Sequence, residues 1–492
     1  MKTRWYFVLI AALALVGIVG FGAEMLKAQQ AGSAPASTVT FHRDVEPILQ
    51  AHCQSCHRPG QIAPMSMLSY KDVRPWARSI KAKVLARQMP PWTVRQSSLH
   101  FTNDPSLTPA DVETITKWAD AGAPEGNPAD APKPVAWPAD GWQIKPDVIV
   151  RGQPFFVPAH PDRNVIEWTN VYVPTGFTKD VWITSMEVKP SALDVTHHIC
   201  IVFVPHRDDV QYFTPQWAEA KRDDEGVYLI PENRETPAQR QQRLARFAQN
   251  ASNARPQNPD AVNDVGATEA CYLPGSSVED YRPFGAAKLV PAGTDLRFQV
   301  HYTPSGKDTV DIPLVGFTVS DTPPAQRWIS TSVSGTAGSP EWVIPPNDGN
   351  WKAPTGVTQV AMDVELAMMQ PHEHLRGKDM TYTLEYPDGR KEVLLDARYD
   401  FNWQFQYYLN PTKHLPKGSK IYIDATYDNS ANNKFNPNPN RPVYPGTMTW
   451  EEMMLPYVGI IVPRGTDPRA VFTRQTLTGP VEGGGSTRAS NQ

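Results

Sequence analysis

The sequence predicts a multidomain chain: a small all-α domain followed by two all-β, jelly-roll-like sandwich domains. Three observations carry this. Helical patterning is confined to residues 38–126. A proline-rich spacer follows at 124–147, of which 127–147 is the expected linker. From about 148 onward the pattern changes to short alternating runs broken by Gly, Pro, Asn and Asp. The 49 prolines among 492 residues argue against a mainly helical protein, and the length suits about three domains. The net charge of −4 supplies no electrostatic case for nucleic acid or an anionic membrane as partner.

Residues 1–34 open with Met1-Lys-Thr-Arg4 and an apolar run from Trp5 to Gly22. This is an export-type segment, either a cleaved signal or an uncleaved membrane anchor. In the domain at 38–126, helices are expected at Val45–His52 and Lys71–Gln88. A third begins at Thr108-Pro109-Ala110-Asp111, a threonine cap with proline first and an acid third, and stops at Gly122. Strands are expected at 147–151, 181–186, 296–301, 382–386 and 421–425. They divide into a first sandwich at 148–312 and a second at 313–475, with a tail at 476–492. Residues 207–262 are a polar excursion with a short helical run near Pro237–Gln249.

Cys53-Gln54-Ser55-Cys56-His57 has the pattern expected of the attachment site of a covalent haem c. The two thiols would form thioethers to the porphyrin, and His57 would lie under the iron as an axial ligand. Zinc would need a second ligand pair, and the other cysteines, Cys200 and Cys271, are far apart. A thioredoxin-type pair would sit beside a βαβ pattern, and none is visible. With the capped helix behind it, the segment resembles a small class I cytochrome c. Met89, in Met89-Pro90-Pro91-Trp92, is the chosen sixth ligand, with Met65 and Met67 as rivals. The motif and the export-type segment together place the protein in a bacterial periplasm or on the outer face of the inner membrane.

The β half holds three histidine groupings. His197 and His198 are adjacent, so both reach one metal only through a twist or bulge. His301 stands in Gln299-Val300-His301-Tyr302. His372 and His374 are spaced by two, which puts both rings on one strand face. Met453 follows in Glu451-Glu452-Met453-Met454, and a thioether beside two imidazoles favours copper.

This order, with Gln370-Pro-His-Glu-His-Leu-Arg-Gly-Lys378, Asp388-Gly-Arg390 and Glu451-Glu-Met453, resembles the copper type II, ascorbate-dependent monooxygenases over roughly 148–475. Dopamine β-monooxygenase and peptidylglycine α-hydroxylating monooxygenase are members. The resemblance implies two sandwich domains and two copper ions. His197, His198 and His301 would hold the first, which handles electrons. His372, His374 and Met453, with Met454 and Met448 as weaker alternatives, would hold the second, where O₂ is activated. Gln299 matches a residue that orients a ligand at the first site, and Tyr457 one near the second that touches substrate or packs. Where the peptide-hydroxylating branch has a carboxylate-binding arginine, this chain has Gln370, as in the dopamine-type branch. Cys200 and Cys271 fall in the first sandwich and are either one bridge or two buried thiols. His42, His52, His100, His160, His206 and His414 are assigned no role.

The expected function is a periplasmic monooxygenase hydroxylating a C–H bond of a small organic substrate with O₂. The cytochrome domain would pass electrons, supplied by ascorbate, a quinol-linked donor or another cytochrome. The competing expectation is a haem–copper electron-transfer or copper-holding protein without C–H chemistry.

Overall fold

The computed structural model describes residues 38–138, 140–160, 165–219, 270–273, 276–333, 342–446, 448–477 and 487–489. The expected export segment at 1–34, the helical run at Pro237–Gln249 and most of the tail lie outside the described residues. Among the described residues, no helix is long and apolar enough to cross a membrane.

The chain divides into two compact units. The first takes the chain up to Ser55, then Met65–Pro90 and Leu107–Val135. The second takes Cys56–Pro64, Pro91–Ser106 and everything from Ala136.

The first unit has short helices at Glu46–His52, Tyr70–Val73, Ala77–Leu85 and Pro109–Asp120. They share a core of Phe41, Leu49, Val73, Ile80, Ile115 and Trp118. Thr108 caps the last helix: its hydroxyl accepts the Asp111 N–H, and the Asp111 carboxylate accepts the Thr108 N–H in return. The expected single helix at 71–88 is corrected. Pro75 has no N–H to give the preceding turn, so a 3₁₀ turn at Arg74–Trp76 splits it. The second piece ends at Leu85, and Arg87 turns left-handed at φ 52°.

The second unit is built of mainly antiparallel sheets. A five-stranded sheet runs Gln216–Glu219, Val165–Pro174, Thr294–Tyr302, Thr196–Pro205, Ala270–Tyr272. A nine-stranded sheet carries strands from both expected sandwiches, including Val181–Lys189, Gln326–Ser332, Leu455–Pro463 and Val364–His372. Its two parts join where Ala286–Val290 pairs parallel with Gln326–Ser332. An eight-stranded sheet includes Gly377–Glu385, Lys391–Arg398 and Lys420–Tyr427.

Strand alternation explains the layers. Leu296, Phe298 and Val300 of the five-stranded sheet meet Ile183, Val188 and Phe317 of the nine-stranded sheet in one core. Leu366, Val458 and Ile460 meet Tyr382, Leu395 and Ile423 in the other. Leu314–Ser320, past the expected boundary at 312, pairs with Val181–Lys189 and so completes the first sandwich.

The Pro91–Ser106 segment, expected within the helical domain, groups instead with the β unit. Val94–Gln96 adds an edge strand against Lys391–Arg398, and Trp92 packs among Phe101, Phe405 and Tyr407. Its apolar side chains find burial there that a loop would leave exposed. Ser98 Oγ also donates to Glu392 at 2.6 Å. Burial alone would raise the Glu392 carboxyl. Donation from Lys413, Ser98 and Tyr386 outweighs it and holds the group at about 2, against an ordinary 4.5.

A depressed carboxyl stabilises the fold above its unfolded-state value, and that stabilisation is lost as pH falls toward the folded value. Urea unfolding of the β unit should therefore weaken between pH 4.5 and 2. Glu392→Gln should remove on the order of 1 kcal/mol of that acid sensitivity, a figure discounted for solvent screening. An unchanged pH slope in the variant would contradict this role.

Candidate metal centre

The first histidine cluster depends on a bulge. In the pairing of Thr196–Pro205 with Thr294–Tyr302, His198 stands opposite His301 and Thr196 opposite Tyr302, so His197 is the extra residue. The bulge turns two adjacent imidazoles toward His301. One ring nitrogen from each of the three lies within 4.8 Å of the others. His197 Nδ1 and His198 Nδ1 are 3.1 Å apart. Two nitrogens at that spacing, each about 2.0 Å from one ion, would subtend roughly 100° at it, an ordinary ligand angle. The buried His301 Nδ1 has no hydrogen-bond partner. The donor set therefore fits a metal.

Burial lowers His197 to about 4 and His301 to about 3. His198 is pushed well below the usual value, first by burial, then by His301 and His197, and then by His372 and His374. The rings are thus neutral and present lone pairs. The His197 ring also stacks on Phe401, at 4.7 Å and 17°.

The second cluster sits where Val364–His372 ends beside Leu455–Pro463, with Gln370 opposite Tyr457 and His372 opposite Leu455. Alternation sends Met453, Leu455 and Tyr457 to the same side as Gln370, His372 and His374, and all six line one cavity of about 310 Å³. His372 Nδ1 lies 2.7 Å from Gln404 Oε1, and His374 Nδ1 lies 3.2 Å from the Glu451 carbonyl. Each acceptor takes an Nδ1–H, which leaves both Nε2 atoms as lone-pair donors. Tyr457 lies 6.4 Å from His372, ring to ring. Met454 is fully buried in the second core, so of the two adjacent methionines only Met453 reaches the cavity. Met448 is half-buried, and its carbonyl lies beside the His374 ring.

Glu452 organises this end. Its carboxylate accepts the backbone N–H groups of His374 at 2.8 Å, Arg376 at 2.6 Å and Met453 at 3.3 Å. Burial raises it to about 7, against the pull of Arg376 and those three donors. Glu373 is fully enclosed. Burial, then the charges of Glu452 and Asp379, drive it well above the carboxylate range. Gly377 is required here, since a Cβ would collide with Glu373 and Tyr399.

Gln299 and His198 line the same cavity as His372, His374 and Met453, so the first cluster meets this space through His198. Cys200 and Cys271 form a disulfide that also lines it. Gln404, Phe401 and Glu452 were not expected from sequence. Gln404 and Phe401 lie on the irregular stretch before Tyr407–Leu415, where no periodicity marks a facing side.

The haem-motif residues fall on short local structure. Cys53 is the C-cap of the Glu46–His52 helix, and its N–H bonds to the Leu49 carbonyl. Cys56 and His57 are half-buried, and the Cys56 carbonyl accepts the Ala63 N–H. Met89 is half-buried, whereas Met67 is buried in the helical core and Met65 packs against that core. Three of the histidines without an assigned role sit beside carboxylates: His42 with Glu46, His206 with Asp295 and His414 with Glu365.

No family model and no curated protein matches the chain. Among solved structures it is similar to T=1 particles derived from infectious bursal virus, at 8% identity and TM-score 0.18, covering 66% of this chain and 72% of that one. It is similar also to infectious bursal disease virus of the Gt strain, at 10% identity and TM-score 0.16, covering 68% and 77%. At such TM-scores the likeness carries no argument.

Gln404→Leu should lower metal affinity at the His372–His374 cluster by about 10–100-fold, the usual cost of losing a partner that orients a ligand. The His197 cluster should be unaffected. Competition with a Cu(I) chelator measures both. Glu452→Ala leaves three N–H groups without their acceptor and should destabilise the β unit by at least about 3 kcal/mol, read in urea unfolding.

Proposed function

We propose that the chain is an exported haem- and copper-dependent monooxygenase that hydroxylates a C–H bond of a small organic molecule with O₂. One observation carries the reading. The set of neutral imidazoles His197–His198–His301 reaches, through His198, the same cavity that His372, His374 and Met453 line. The resemblance to the copper type II monooxygenases rests on the same residues. Bound copper would supply electron transfer at the three-histidine set and O₂ activation at the set containing the thioether, and haem c at Cys53, Cys56 and His57, with Met89 as sixth ligand, would carry single electrons.

The chain's own residues prepare the site. Gln404 and the Glu451 carbonyl hold the tautomers of His372 and His374, so each presents Nε2. Glu452 ties the backbones of His374 and Met453 together, which keeps imidazole and thioether at one end of the cavity. Tyr457 and Leu455 wall the space where a substrate would lie, and Gln299 stands two residues from His301 on the same strand face. The reaction consumes O₂, two electrons and two protons and releases water with the alcohol. The electrons would come from ascorbate, a quinol-linked donor or another cytochrome. The export-type segment and haem motif favour the periplasm or the outer face of the inner membrane.

Metal analysis of the full chain should give one iron and two coppers. After reduction and mixing with O₂, haem reoxidation should depend on bound copper. Met453→Ala should keep most of its copper but lose O₂ consumption with substrate by about 10²-fold or more, as when a transition-state interaction is removed. Copper loading without O₂ consumption over a broad substrate panel would favour the electron-transfer or copper-holding reading instead.

A further inference from the structure

The strand that carries His301 carries a second group into the same space. Along Thr294–Tyr302, Leu296, Phe298, Val300 and Tyr302 are buried in the sandwich core, and Arg297, Gln299 and His301 face the other way. Arg297 and Gln299 both line the cavity. Four residues at about 3.3 Å each put Arg297 roughly 13 Å along the strand from His301, with Gln299 midway.

Among the described residues, the Arg297 guanidinium makes no ion pair or hydrogen bond, and its Nε is buried without a partner. The residues beside it in the sheet offer no charge. They are Val202 on one neighbouring strand and Tyr172 on the other. The nearby acids are taken by other donors. Asp295, two positions away on the same face, accepts from Tyr212 and His206. Glu279, which also lines the cavity, accepts from Gln406 and from Tyr408 at 3.1 Å. A partly desolvated guanidinium without a direct ion pair or hydrogen bond is costly, and a neutral or apolar residue would serve stability better. A planar guanidinium matches a carboxylate through two parallel hydrogen bonds.

We infer that the cavity selects small organic acids, with Arg297 holding the substrate carboxylate. This rests on the cavity being the substrate site proposed above. The strand spacing then sets the geometry. The carboxylate end is held away from the imidazoles, and the oxidisable carbon lies several bonds from it, toward His372, His374 and Met453. Gln299 and Gln370 add amide groups along the way for polar atoms between the two ends. A volume of about 310 Å³ suits a molecule of this kind.

The test is calorimetric binding to the full, metal-loaded chain of acetate, butyrate, benzoate and phenylacetate, each beside its primary amide. At least one acid should bind tenfold or more tighter than its amide. Arg297→Gln should abolish that preference, and Arg297→Met, which keeps the packing of the stem, should do the same if the glutamine variant does not fold. Arg297→Lys should keep part of it. No acid preferred over its amide by wild type, or a preference that survives in the Gln or Met variant, overturns the inference. Parallel O₂-consumption runs separate the two readings. Arg297-dependent acid binding without turnover sinks the oxygenase and leaves the carboxylate site standing. Turnover of amides as fast as of acids sinks the carboxylate site alone.

Discussion

A single antiparallel register supports everything around the cavity. Gln370 opposite Tyr457 and His372 opposite Leu455 bring the end of one strand beside the start of another. One residue of slip would turn Met453, Leu455 and Tyr457 into the core and send Met454 outward. Glu452 locks the register. Its side chain points away from the cavity, and its carboxylate gathers the N–H groups of His374, Arg376 and Met453. The backbone is thus fixed by a buried acid, and the alternate side chains are left for chemistry.

The same cavity is bordered by the opposite solution to the same problem. The five-stranded sheet brings two adjacent histidines to one point by breaking its register at His197, where the end of a strand in the nine-stranded sheet uses spacing by two at His372 and His374. Both devices leave neutral imidazoles, because burial disfavours the charged form in each. His301 Nδ1 is buried without a partner in the three-histidine set, an unmet demand that is the physical basis for proposing a metal there.

The nine-stranded sheet ties the two cores into one body of β structure. Trp328, Met368 and Ile461 lie on it and pack into the first core, and Ile329, Met369 and Ile460, their chain neighbours, pack into the second. Alternation along the shared strands gives each sandwich every second residue. The walls of the cavity come from this sheet, from the five-stranded sheet and from the irregular stretch around Phe401–Gln406, so residues far apart in the chain line one space.

Local chemistry was legible in the residues alone. Thr108 with Asp111 announced a helix start, alternation located the strands at 181–186 and 296–301, and the spacing of His372 and His374 announced a shared face. The need for a bulge at His197–His198 also followed from adjacency. Pairing was not legible. That Leu314–Ser320 returns to the first sandwich, that Pro91–Ser106 joins the β unit, and that Cys200 bonds Cys271 depend on which edges and thiols meet. Arg297 shares a face with His301 by simple alternation, but only the folded neighbours show that its guanidinium has no direct partner. Sequence determines what each segment prefers within a few residues. Tertiary structure decides which buried groups find partners, because that depends on residues hundreds of positions away.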